Sequence, residues 1–101
     1  MVKLYIDDLR DPPTDDFVVV RSSDQAIAYI EQTGIPSFIS FDHDLGGDDT
    51  AMVVVNYIIE AVLDQVVDFP DDFSFLVHSA NPIGAVNIEC KLSNFISAIH
   101  K

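Results

Sequence analysis

Carboxylates follow two predicted strands of this chain at the points where the strands end. Asp7 and Asp8 come directly after the apolar run of residues 2–6, and Asp42 and Asp44 follow a second apolar run. Adjacent carboxylates repel each other, and burying them without a partner is costly. A divalent cation would relieve that repulsion, and Mg²⁺ is commonly held by one or two carboxylates with water and phosphate. We therefore predict that these four aspartates bind a divalent cation, with Mg²⁺ favoured; solvated loop acids are the alternative.

Two histidines lie at the same predicted strand ends. His43 separates Asp42 from Asp44, and on an extended chain the two acids point one way while His43 points the other. His78 directly follows the last predicted strand. Imidazoles change charge near neutral pH, and titrating groups gather at functional sites. Each histidine is therefore a candidate general acid or base, with a packing role as the alternative.

Four further polar residues near the strand ends are candidates for phosphate binding. Arg10 and Arg21 are two of only five Lys and Arg residues, and a guanidinium offers planar, bidentate donors to phosphate. Pairing with nearby aspartates is the alternative for both. Ser79 offers a hydroxyl donor. Asn81 precedes Pro82, an arrangement typical of a helix N-cap, and free N–H groups at such a helix end would face an anion.

Seven elements in the order β-β-α-β-α-β-α are needed to position these residues. Strands are predicted over residues 2–6, 17–21, 37–41 and 74–77, and helices from 22 or 23 to 34, from about 50 to 65, and from about 83 to 100. The later strands alternate with helices, which indicates a parallel sheet with right-handed crossovers. In such a sheet, ligands bind beyond the carboxyl ends of the strands, where the polar residues of this chain lie.

The connection between the first two strands is the ambiguous part of this topology. Residues 7–16 are too few for a full crossover helix and include Pro12 and Pro13. We favour a parallel pairing of these strands over an antiparallel hairpin.

Composition limits the class of protein and of partner. A length of 101 residues predicts a single domain over residues 1–101, and the lone Cys90 allows no internal disulfide. Neither a signal-peptide pattern nor an apolar run of membrane-spanning length occurs, so we expect a cytoplasmic protein that binds no membrane. A net charge of -12 disfavours extended nucleic-acid binding but leaves a single phosphate or one nucleotide end open.

The acidic pair, the third aspartate and the following serine resemble the receiver domains of two-component signalling. In those domains the three acids hold Mg²⁺ and the third accepts a phosphoryl group. The resemblance makes Asp7 and Asp8 the pair, Asp42 the acceptor-like residue and Ser79 the hydroxyl. The chain departs from the pattern because it has no fifth strand with a lysine at its end, and no helix between the first two strands.

A closer resemblance is to the cyclic-phosphate-processing receiver-like family. It is carried by LYIDDLR at residues 4–10, VRS at 20–22, SFDHDLG at 40–46 and VHSANPIG at 77–84. We therefore expect a small α/β domain, a truncated flavodoxin- or receiver-like three-layer sandwich with a four-stranded, mainly parallel sheet and about three helices. The resemblance also implies processing of cyclic phosphates on nucleotides or RNA ends, linked to RNA repair.

Three functional hypotheses follow. In the first, the protein is a metal-dependent phosphoesterase, with catalytic roles for Asp42, His43 and His78 while Arg10 and Ser79 orient the phosphate. In the second, a non-catalytic Mg²⁺-binding or phosphate-sensing module uses the same pocket. Histidines that face the acidic pocket would favour catalysis, whereas histidines that are both packed under the sheet would favour the binding module. In the third, the apolar helix around Met52–Leu63 forms a homodimer, although burial inside the domain explains its composition more simply.

Overall fold

The fold of residues 2–99 is described by a computed structural model with four strands and three helices. The strands are β1 (Lys3–Ile6), β2 (Phe17–Val20), β3 (Phe38–Phe41) and β4 (Ser74–Val77), and the helices are α1 (Ser23–Thr33), α2 (Met52–Leu63) and α3 (Pro82–Ile99). The element order and approximate bounds agree with those predicted. The ends of the predicted domain, residues 1, 100 and 101, lie outside the described residues, as does the predicted end of the last helix at residue 100.

The sheet has the order β2-β1-β3-β4, and every pairing in it is parallel. The hairpin alternative for the first two strands is therefore wrong. Ile6 pairs with Val20 on one side and with Phe41 on the other, and Phe41 pairs with Val77. Because the last residues of the strands lie side by side, the residues that follow them meet at one edge. The expected gathering of polar residues at the carboxyl edge is confirmed.

The core lies on one face of this sheet. Leu4, Ile6, Ile39 and Phe41 alternate along β1 and β3 and are fully buried. The buried apolar residues of all three helices join the same cluster: Ala26, Ile30, Val54, Val55, Ile58, Ile88 and Leu92. The apolar breadth of α2 follows from this position, because the helix packs against α1, α3 and the sheet.

The expected three-layer sandwich needs a correction in its number of layers. Since all three helices of the described chain pack against one face, the structure has one helical layer and one sheet layer. The opposite face carries an aromatic row, with Tyr5 and Phe17 5.6 Å apart and Phe17 and Phe38 6.1 Å apart between ring centroids. A second helical layer would need a helix on the opposite face. The connection after β1 is short and contains prolines, and it forms no such helix.

Local capping explains where α1 begins and ends. The Ser22 hydroxyl accepts a hydrogen bond from the Gln25 N–H at 3.1 Å, as expected of an N-cap. Gly34 has φ of +86° and donates its N–H to the Ile30 carbonyl at 2.8 Å, which ends the helix. Among the described residues, no helix combines the length and apolarity that crossing a membrane requires.

Candidate metal and phosphate site

Three of the four predicted metal ligands come together at the carboxyl edge of the sheet. Asp7, Asp8 and Asp42 each offer a carboxylate oxygen, and these oxygens lie within 4.8 Å of one another. Asp7 is fully buried and Asp42 is 7% exposed, whereas Asp8 is intermediate. Asp7 follows β1 and Asp42 follows the adjacent β3, and the Asp42 N–H donates to the Ile6 carbonyl at 2.9 Å. The sheet pairing therefore sets the spacing between the carboxylates.

Asp44 does not join this cluster. Its exposed carboxylate contacts Nδ1 of His43 at 2.9 Å and accepts a hydrogen bond from Asn81 Nδ2 at 3.3 Å. The His43 and Asn81 side chains lower the pKa of Asp44 below its usual value. Asp44 still lines the same cavity as the three clustered acids, but on the side next to the start of α3.

Asp7 is held by four donors. Its Oδ1 accepts hydrogen bonds from the N–H groups of Leu9 and Arg10, both at 2.9 Å. Its Oδ2 contacts Arg10 Nε at 2.9 Å and His78 Nε2 at 3.0 Å. Burial by itself raises the pKa of Asp7, but the two N–H groups, the His78 side chain and the Arg10 guanidinium together lower it below its usual value. Asp7 is therefore a fixed, ionised carboxylate.

His78 lies behind Asp7 rather than in the cavity. Its ring stacks on Tyr5, with centroids 4.5 Å apart and planes inclined by 7°, and its Nδ1 contacts the Ser40 hydroxyl at 2.6 Å. Both ring nitrogens are thus engaged, and the side chain is 15% exposed. Sequence reasoning missed Tyr5 and Ser40 as supporting residues. Ser40 could have indicated this contact, because it is a polar residue within an apolar strand. Its side chain faces the same side of the sheet as that of Tyr5, with which it pairs in the register.

His43 also points away from the cavity, as the alternation along the chain predicts. Its ring lies against Gly84 in the first turn of α3, so closely that a Cβ at position 84 would stand 2.3 Å from the ring Cγ. Neither His43 nor His78 lines the cavity. Gly84 is a third residue whose supporting role sequence reasoning missed, although a glycine inside a helix pattern is a recognised sign of close packing.

The two arginines have different roles. The Arg10 guanidinium bridges two of the clustered acids, with Nε 2.9 Å from Asp7 and a terminal nitrogen 3.4 Å from Asp42. Arg21 instead holds backbone: it donates to the carbonyls of Arg10 at 2.6 Å and Asp7 at 3.3 Å, and it pairs with Asp11 at 2.8 Å. Arg21 does not line the cavity, and its pairing with an aspartate is the alternative that the sequence left open.

The cavity beside the three acids is open and has a volume of about 510 Å³. Its wall is built by the strand ends, the glycine loop after β3 and the segment before α3: Asp7, Asp8, Leu9, Arg10, Asp42, Asp44, Gly46, Gly47, Ser79, Ala80 and Asn81. Gly46 has φ of +91°, and a Cβ there would lie 3.3 Å from Asp8 Oδ2. A glycine is therefore needed at this point both for the backbone turn and for the close approach to Asp8.

The far side of the glycine loop is tethered to α1. Asp49 accepts hydrogen bonds from the Ser23 N–H at 2.9 Å and from the Ser23 hydroxyl at 2.5 Å. This contact fixes the loop that carries Gly46 and Gly47 along one side of the cavity.

Ser79 and Asn81 shape the opposite wall. Asn81 Oδ1 accepts the Gly84 N–H at 3.0 Å, so Asn81 caps α3 as its position before Pro82 predicts. The Ser79 hydroxyl oxygen accepts the Asn81 N–H at 3.1 Å, which leaves the hydroxyl proton to be donated elsewhere. A hydroxyl donor and a guanidinium thus border a cavity whose floor is acidic.

Comparison with known families gives one finding. Residues 2–94 match the family model described as "Cyclic-phosphate processing Receiver domain". Comparisons with curated proteins and with solved structures give no match.

Proposed function

Because this chain belongs to the cyclic-phosphate-processing receiver family, we propose that its cavity binds Mg²⁺ and hydrolyses a cyclic phosphate on a nucleotide or RNA end. The observation that supports this most strongly is the convergence of Asp7, Asp8 and Asp42 within 4.8 Å beside a cavity that also holds Arg10 and Ser79. Metal-assisted phosphate chemistry needs acidic ligands for the ion and separate groups that bind the phosphate. The three aspartates could supply the first, and the Arg10 guanidinium and Ser79 hydroxyl the second.

The donor set fits a hard divalent cation. All three groups are carboxylate oxygens, and two of them are buried, where unpaired negative charge is costly. Asp7, Asp8 and Asp42 would hold the ion. When bound, such an ion polarises a phosphate and lowers the pKa of water.

The protein's own residues would bind and orient the phosphate. Arg10 is half-exposed and can direct N–H donors at two phosphate oxygens, and Ser79 can donate its free hydroxyl proton from the opposite wall. Hydrolysis adds water across one ring P–O bond and leaves a phosphomonoester and a free hydroxyl. The His78 imidazole would act on this reaction through Asp7, which it holds in place.

A second candidate is a binding module that captures cyclic phosphate with Mg²⁺ and does not turn it over. The specific observation in its favour is that neither histidine lines the cavity. General acid–base catalysis requires a group within hydrogen-bond reach of the proton that it moves, and Asp7 lies between His78 and the cavity.

The experiment that tests the proposal follows a 2',3'-cyclic nucleotide by ³¹P NMR with the purified chain, with and without Mg²⁺. We expect a phosphomonoester signal that depends on Mg²⁺ and is lost in Asp42→Ala. The matched control Asp72→Ala removes an equally charged, exposed carboxylate outside the cavity and should retain activity. Mg²⁺-dependent binding without product would favour the binding module, and absence of both binding and product would refute both candidates.

A further inference from the structure

The hydrogen bonds of Asp7 raise a problem for any cation that binds there. An ionised carboxylate offers about four lone-pair sites on its two oxygens. Asp7 already has four partners, namely two N–H groups on Oδ1 and the Arg10 and His78 side chains on Oδ2. A cation can coordinate Asp7 well only if one of these donors leaves.

Arg10 is the donor that can leave at least cost. The N–H groups of Leu9 and Arg10 belong to the turn that follows β1, so they cannot withdraw without refolding it. His78 is 15% exposed, stacked on Tyr5 and held by Ser40. The Arg10 side chain is 51% exposed, and its flexible stem lets the guanidinium move into solvent or into the cavity.

Arg10 also occupies a position suited to a cation. Its guanidinium contacts Asp7 and Asp42 together, and these are two of the three clustered acids. A positive charge therefore already compensates the buried carboxylates before any ion binds.

We propose that the Arg10 guanidinium and the divalent cation exchange places, so that cation binding releases Arg10 from Asp7 and Asp42 toward the phosphate. This inference rests on the proposed binding of a cation at Asp7, Asp8 and Asp42. The Arg10 backbone stays in position during the exchange, because Arg21 donates to the carbonyls of Arg10 and Asp7 on either side of the turn. Only the side chain moves.

The exchange couples the two ligands of the cavity. Arg10 competes with the cation but cooperates with the anion, so cation binding should increase the affinity for phosphate. By linkage, phosphate should increase the affinity for the cation by the same factor. Without the cation, Arg10 remains paired with acids and the acidic cavity repels anions.

Arginine side-chain NMR tests the exchange directly, because Arg10 and Arg21 are the only arginines in the chain. The Nε–H region of a ¹⁵N spectrum therefore holds two signals, assigned from the Arg10→Gln variant. During a titration with Mg²⁺ we expect the Arg10 signal to move with the loss of its bond to Asp7, while the Arg21 signal stays in place. An unmoved Arg10 signal at saturating Mg²⁺ would overturn the exchange.

Calorimetry gives a second, independent measurement. Removing the competing charge in Arg10→Gln should tighten Mg²⁺ binding by about tenfold, since a half-exposed ion pair is lost and a positive charge near the ion is removed. Lys91→Gln removes the same charge from an exposed position of α3 and should leave Mg²⁺ affinity unchanged. Inorganic phosphate should bind more tightly in the presence of Mg²⁺ in the wild type, and this enhancement should shrink in Arg10→Gln.

The outcomes separate this inference from the proposed function. If the wild type binds Mg²⁺ but Arg10→Gln binds it equally or more weakly, the exchange is refuted and the metal site stands. If the wild type does not bind Mg²⁺, the proposed function fails and the exchange fails with it. Arg10→Lys, which keeps the charge without the planar fork, serves as a conservative second variant and should show tightening smaller than that of Arg10→Gln.

Discussion

Replacing Gly84 by alanine tests the packing that supports the site. A Cβ at this position would lie 2.3 Å from Cγ, 2.6 Å from Nδ1 and 2.7 Å from Cδ2 of the His43 ring. Carbon atoms pack favourably at about 3.5–4.0 Å, so the ring or the first turn of α3 must move by about 1 Å or more. Because His43 stands between Asp42 and Asp44, such a shift reaches the acids of the cavity directly.

The size of the effect follows from two opposing contributions. Overpacking a well-packed site costs about 1–3 kcal/mol. Alanine is preferred over glycine inside a helix by about 1 kcal/mol, which offsets part of that cost. Because the Cβ would lie only 2.3 Å from the ring, the overpacking cost belongs in the upper half of its range, about 2–3 kcal/mol. We therefore expect Gly84→Ala to lower the free energy of unfolding by about 1–2 kcal/mol, which for a domain of this size lowers Tm by roughly 5–15 °C.

Thermal and urea unfolding of Gly84→Ala, His43→Ala and the double variant measure this directly. Once the ring is absent, the alanine at position 84 should cost nothing or stabilise the helix, so the two changes should be strongly non-additive. Ser93→Ala, an exposed substitution on the same helix, controls for a general effect of alanine. A Gly84→Ala variant as stable as the wild type, or one that loses the same stability in the His43→Ala background, would contradict a clash between position 84 and the His43 ring.

Three further predictions concern the carboxyl edge. Because the pKa of Asp7 is lowered in the folded protein, its carboxylate stabilises the fold above the ordinary aspartate pKa of about 4, and this contribution is lost as pH falls through the lower folded pKa. In urea unfolding with a chelator present, the free energy of unfolding of Asp7→Asn should therefore fall less steeply with decreasing pH than that of the wild type. An unchanged slope would contradict this. Arg21→Gln removes the hydrogen bonds to two backbone carbonyls and should speed amide hydrogen exchange in the turn after β1. Unaltered protection would show that these Arg21 hydrogen bonds do not hold the turn. Gly46→Ala and Gly34→Ala both place a side chain at positive φ, and each should lower the free energy of unfolding by about 1–3 kcal/mol. Only at position 46 does the added Cβ meet Asp8, so only Gly46→Ala should weaken Mg²⁺ binding. Equal Mg²⁺ affinity in the two variants would refute this.

Much of the fold and the position of the site could be predicted because both depend on local sequence signals. Short apolar runs ending in polar residues mark buried parallel strands, and Ser22 and Gly34 are local cap signals for α1. Since parallel strands end at one edge of a sheet, the polar residues at those ends were enough to predict that Asp7, Asp8 and Asp42 lie close together. The alternation along 42–44 likewise predicted that His43 would point away from the cavity that Asp42 and Asp44 line.

The remaining features depend on contacts between residues that are distant in sequence. The stacking of His78 on Tyr5 and its contact with Ser40 depend on the order of three strands in the sheet. No local sequence pattern indicates that order. The contact of His43 with Gly84 requires the position of α3 over the end of β3. The number of layers could not be predicted either, because it depends on which face each crossover covers.

Calorimetric titration of the metal-stripped protein with Mg²⁺ is the most direct test of the proposed site. If Asp7, Asp8 and Asp42 together hold the ion, the wild type and the exposed-acid control Asp72→Asn should bind Mg²⁺ with equal affinity. Asp42→Asn, which keeps the side-chain size but removes one ligand charge, should bind about tenfold or more weakly. Equal Mg²⁺ affinity in Asp42→Asn and the wild type would contradict a metal site built on these three carboxylates.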